Sequence, residues 1–134
     1  MLADAVRYAR PDDVAELRRL LSAMTRRLDP PVEFLRADWA LHRRIAQISP
    51  NEVLRQVYLS LVTTLEDNLD VIVPDKSHPD YLQRRLRLHA DIVEAIADSD
   101  APAIAELAGQ HRLTTAPDTA PAPRAAKARR QSKR

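Results

Sequence analysis

Four side chains in this 134-residue sequence have types and spacing suited to coordination chemistry: Asp38, His42, His89 and His111. Asp38 and His42 stand four residues apart in RADWALHRRIA. On a helix they differ by about 40° in direction and about 6 Å in height, so both reach one point. Leu41 and Ile45 lie on the same side, which turns an acid and an imidazole toward a core. His89 lies three residues from both Leu86 and Ile92, and His111 follows Leu107 by four. Each therefore shares an apolar stripe. Burying an unpaired carboxylate costs at least several kcal/mol, and a hydrogen-bonded network works only if every member is satisfied. A divalent cation satisfies all four groups together.

The chain has no cysteine, so the ligands are nitrogen and oxygen without thiolate. That set suits Zn, Ni, Mn, Fe or Co, and Zn, Ni or Mn is the expected ion. Four protein ligands around an octahedral ion leave two positions for water or a bound molecule. The plainer reading is a hydrogen-bonded core. One inward histidine is ordinarily satisfied by neighbours, and Asp38 can pair with His42 or with an arginine such as Arg85. His78, in KSHPD, belongs to no stripe and reads as a solvated loop residue.

The elements that must position these groups are helices. Leu, Ala and Arg dominate, there is one glycine, and no alternating run supports a strand. A short helix over about 2–9 precedes a second from Pro11 to about Leu28, with Asp12 and Asp13 in its first turn. Pro30 and Pro31 end it. A third helix runs over about 32–48, with Phe34, Leu35, Leu41 and Ile45 inward. After SPN, Asn51 caps a fourth over about 52–73, with Val53, Leu54, Val57, Tyr58, Leu61, Leu65, Leu69 and Ile72 repeating along it. A fifth covers about 80–98. Asp100 caps a sixth that carries Ile104, Leu107, Ala108 and Leu113 inward. ELRRLL and QRRLRL read as solvated faces, with one arginine available to a bound anion. The expectation is an all-α antiparallel bundle of about six helices over residues 1–115, with a disordered Pro/Ala-rich basic tail over 116–134.

The bundle also sets the heights. His89 and His111 each lie eleven residues from a turn near residue 100, about 16 Å along their helices. Asp38 and His42 lie about 18 and 12 Å from a turn near residue 50. In an up-down bundle those turns share an end, so three helices bring the four side chains to one level.

Charge and composition narrow the function. Six basic side chains and no acid occupy the last eleven residues, and removing them from a net +2 leaves a body of −4. No run is long and apolar enough for a membrane span, and no secretory leader is visible, so a cytoplasmic protein is expected.

The run Asp38-x-x-x-His42, then SPN, then His89 and His111 resembles the ligand-binding domain of FadR-type regulators in the GntR superfamily, the FCD domain. LHADIVEAIADSDAPAIAELAGQH is particularly similar to that family's closing helical hairpin. The likeness covers about residues 2–115 and implies a bundle of six or seven helices around a metal that helps hold a small organic acid. Carried over by position, the ligands are Asp38, His42, His89 and His111, with Arg85 and Asn51 as candidate effector contacts. It also implies homodimers, and apolar positions on the first helix are expected to need cover. The sequence starts inside what would be the domain's first helix, with no winged helix-turn-helix before it. DNA contact is therefore expected only weakly through the tail, or through a separate DNA-binding protein. Leu88 stands where the family often has an acid, which alters the surroundings that orient His89.

Two other classes stay in view. A metal-dependent hydrolase would use open coordination positions to activate water. However, Asp38 is taken as a ligand, only chance would place Glu66 or Glu94 as a base, and Glu-x-x-His pairs are missing. A nucleic-acid-associated protein would act through the six tail cations by salt-dependent, sequence-independent attraction.

Overall fold

The computed structural model describes residues 1–68 and 79–115, with side chains described as far as Arg112. The described residues form six helices: α1 (Leu2–Tyr8), α2 (Pro11–Thr25), α3 (Pro31–Ile48), α4 (Glu52–Asp67), α5 (Pro79–Ala97) and α6 (Ala101–Thr115). None is long and apolar enough to cross a membrane. The tail, His78 and the expected last turn of α4 lie outside the described residues, as does the Leu113 side chain.

Local chemistry explains the boundaries. Proline stands at the first position of α2 and α3, where the missing N–H costs nothing. The Arg10 N–H donates to Asp13 at 2.8 Å, which satisfies one donor at the start of α2. That helix stops at Thr25, short of the expected Leu28. A turn follows in which the Arg27 N–H bonds the Met24 carbonyl at 3.0 Å. Ser49 precedes a proline and is extended, which ends α3. Asn51 then caps α4, accepting from the Leu54 N–H at 3.0 Å.

The α5–α6 turn is a Schellman motif. The Asp100 N–H bonds the Ala95 carbonyl at 2.9 Å, and the Ser99 N–H bonds that of Ile96 at 3.2 Å. Ser99 holds φ 55°, the left-handed position where glycine is usual. Asp100 then caps α6 through the Ala103 N–H at 2.9 Å.

Helix α3 packs on α1, α2 and α4, and α5 packs on α1, α2 and α6. Their facing stripes make the core: Phe34, Leu35, Leu41 and Ile45 from α3, with Leu82, Leu88, Ile92, Val93 and Ile96 from α5. Leu17 and Met24 of α2 close one side.

Two readings of the sequence need correction. The apolar repeat of α4 faces largely outward: Val53 is 75% exposed, Val57 64%, Leu61 54% and Leu54 41%, and the buried side chain of this helix is Val62. On α1, Ala5 and Val6 are buried and Tyr8 is exposed, so α4 rather than α1 presents most of the apolar surface. In QRRLRL, Arg84 and Arg87 are exposed, but Arg85 is buried within the core stripe of α5. Periodicity places Arg85 on that stripe, while its residue type argued for solvent.

Candidate metal centre

Asp38, His42, His89 and His111 meet in the interior. Helix α3 supplies the first two from consecutive turns of its inward face. Helix α5 supplies His89 from between Leu88 and Ile92, and α6 supplies His111. Asp38 and His89 are fully buried, His42 is buried, and His111 is half-buried. His42 Nε2 lies 2.9 Å from His89 Nε2 and 3.2 Å from His111 Nε2. Asp38 Oδ1 lies 3.1 Å from His89 Nε2 and 3.6 Å from His42 Nε2.

The three imidazole nitrogens lie within 4.8 Å of one another and fit a ligand shell, with Asp38 Oδ1 beside two of them. With metal–nitrogen bonds of about 2.0–2.1 Å, neighbouring ligand atoms stand about 3.0 Å apart in an octahedron and about 3.4 Å apart in a tetrahedron. The donor chemistry agrees. His89 Nδ1 donates to the Arg85 carbonyl at 2.7 Å, so in the neutral ring Nε2 carries a lone pair. Burial, opposed by Asp38, lowers the pKa of His89 and keeps it neutral. Burial likewise lowers His42, to about 3, with its neighbours Arg85, His89 and His111 adding to the effect against Asp38. A single proton on His42 Nε2 cannot serve both neighbouring imidazoles and Asp38. Asp38 Oδ1 is buried and accepts no hydrogen bond. Converging lone pairs around an unsatisfied carboxylate oxygen are what a cation would relieve.

Outer contacts hold these candidate ligands in place. Tyr58 of α4 sits with its hydroxyl 3.1 Å from His42 Nδ1, where it can accept the Nδ1 proton and leave Nε2 to the cluster. Arg85 grips Asp38 Oδ2 with Nε and Nη2, each at 2.7 Å. Burial works to raise the Asp38 carboxyl, but the interactions with His89, Arg85 and His42, together with the Arg85 hydrogen bond, outweigh it and hold the group at about 2. With both imidazoles kept neutral, Arg85 is the permanent cation among these. Burial in turn works against the charge on Arg85, and Asp38 together with Tyr81 more than compensates.

A cavity of about 380 Å³ opens beside the cluster. His42, His111, Tyr58 and Arg112 bring polar groups to its lining, and Leu2, Ala3, Ile45 and Ala108 bring aliphatic ones. Arg85 and Asn51 do not line it. Arg85 holds Asp38 Oδ2 and brings Nη2 to 3.4 Å from His42 Nε2, and Asn51 is exposed with Oδ1 committed to the α4 cap. In the sequence Tyr58 stands out only as one position of the α4 apolar repeat, and the one signal for Arg112 is adjacency to His111.

A helical bundle that sets a cation-ready cluster beside a cavity defines a ligand-binding domain. More narrowly, the FCD domain model matches residues 1–114, and the chain belongs to that family. FCD domains are the effector-binding domains of GntR-type transcription regulators, which are not enzymes. No curated protein and no solved structure matches the chain.

Proposed function

We propose that this chain is the metal-containing sensor domain of a GntR-type transcription regulator. In this reading it binds a small organic acid beside a divalent cation held by Asp38, His42, His89 and His111. The observation that carries the proposal is the convergence of three Nε2 atoms and an unsatisfied Asp38 Oδ1 at ligand-to-ligand spacing, next to a cavity. A bound Zn, Ni or Mn ion supplies positive charge and exchangeable positions that a carboxylate can occupy.

The chain's own residues do the rest. Arg85 neutralises Asp38 and fixes its carboxylate plane, so Oδ1 keeps its aim. Tyr58 orients His42, and the Asn51 cap secures the start of the helix that carries Tyr58. Arg85 and Asn51 therefore serve effector binding through other residues. Arg112 adds a cation at the cavity wall. Occupation of the cavity couples α1, α3, α4 and α6, and in a full regulator that rearrangement would reach attached DNA-binding domains. A cytoplasmic location and any DNA contact by the basic tail belong to the same reading.

Self-association through α4 completes the proposal, with a second copy of the chain as occupant. Leu54, Val57, Leu61 and Thr64 follow the 3-4-3 spacing of a helix-pair seam, and none is charged. Val53 widens the exposed apolar strip.

Elemental mass spectrometry of the purified, untagged chain tests the centre. About one transition metal per chain is expected in the wild type and little in the His89→Ala/His111→Ala double variant. A wild type that takes up no metal after reconstitution with Zn, Ni and Mn would make the cluster a hydrogen-bonded core.

A further inference from the structure

The cavity beside the imidazoles is lined by both hydrogen-bonding and aliphatic side chains. Its hydrogen-bonding side chains are contiguous. His42 is 3.2 Å from His111 and 3.1 Å from the Tyr58 hydroxyl, and Arg112 follows His111 in sequence. Tyr58 is already engaged with His42, and both imidazoles present their Nε2 atoms to the cluster. Arg112 adds a guanidinium to the lining from outside the cluster. Ile45 stands one turn beyond His42 on α3, and Ala108 stands one turn before Arg112 on α6. Leu2 and Ala3 of α1 line the cavity with them. None of these four side chains can donate or accept a hydrogen bond.

We infer that the cavity takes a monocarboxylate with a compact apolar body, in preference to a polyhydroxylated acid of the same length. The carboxylate lies toward His42, His111 and Arg112, and the body lies against Leu2, Ala3, Ile45 and Ala108. This deepens, and rests on, the reading of the chain as an organic-acid sensor. The preference follows from opposite responses of one wall. Each methylene moved from water onto it strengthens binding about fourfold. Each hydroxyl pressed against it without a partner weakens binding by roughly fivefold to a hundredfold.

Hexanoate and gluconate share a six-carbon backbone and differ by gluconate's five hydroxyls, so they isolate the effect. Calorimetric titration of the Zn²⁺-saturated full chain should give hexanoate roughly tenfold or more tighter than gluconate. Butyrate should fall between acetate and hexanoate, at about fourfold per methylene. Ala108→Phe should weaken hexanoate by roughly tenfold or more through lost space while leaving the zinc content at the wild-type level. Ala108→Met repeats the test with a more adaptable side chain if phenylalanine prevents folding.

Gluconate binding as tightly as hexanoate overturns the apolar-body inference and leaves the sensor reading standing. Neither acid binding to the zinc-loaded chain overturns both. Hexanoate affinity unchanged by filling at residue 108 places binding elsewhere and overturns the inference as well.

Discussion

Asp38 divides its two oxygens, giving Oδ2 to Arg85 and turning Oδ1 toward His42 and His89. Removing Arg85 would leave a buried carboxylate without its permanent counter-charge. Arg85→Met is therefore expected to cost the metal-free chain about 3–5 kcal/mol in urea unfolding. Adding Asp38→Leu should restore part of that loss, because the stranded charge goes with it. Equal and additive losses from the two substitutions would show that the pair is not coupled. The histidines set the pH response. Burial holds His42 at about 3, below its ordinary 6.5, and holds His89 low in the same sense. Between those values the unfolded chain binds protons that the native state refuses. Stability of the metal-free chain is thus complete above about pH 6.5 and declines on acidification, by up to about 1.4 kcal/mol per pH unit for each histidine. Urea midpoints at pH 7.5 and 5.0 in chelator check this, and equal midpoints would contradict it.

At the scale of elements, the α5–α6 turn sets the heights of His89 and His111. Its hydrogen bonds require a left-handed residue at the helix exit, and Ser99 fills that position at φ 55°. A side chain there carries a steric cost that glycine avoids, partly offset by glycine's greater freedom in the unfolded chain. Ser99→Gly should stabilise the chain by about 0.5–1 kcal/mol with metal content unchanged. A destabilised Ser99→Gly variant would mean that the serine side chain contributes more than its backbone strain costs.

For the whole molecule, the decisive surface is α4. It brings Val62 to the core and leaves Val53, Leu54, Val57 and Leu61 in water. Burying such a strip against a second copy offsets that exposure. Sedimentation of the full chain should give a dimer. Val57→Glu/Leu61→Glu should give a monomer that still folds, because both positions are exposed in the single chain. A wild type monomeric at micromolar concentration would remove the seam.

The sequence by itself determined the helices, most of their boundaries and the four candidate ligands. Those features obey local rules: a 3.6-residue period, proline at helix starts, Asn51 and Asp100 as caps, and His or Asp placed on apolar stripes. It could not determine which way α4 turns, because a repeating apolar face looks the same whether it meets its own core or another chain. Nor could it settle Arg85, whose position on the α5 stripe points inward while its charge points to solvent. An arginine in QRRLRL looks solvated until Asp38, 47 residues earlier in the chain, is brought to within 2.7 Å of it. The cavity has the same origin. Leu2, Ala3, Tyr58 and Arg112 share no spacing with His42, and only the packing of α1, α4 and α6 around α3 assembles them. Local periodicity dictates what each helix offers, whereas long-range packing dictates what each offered group meets.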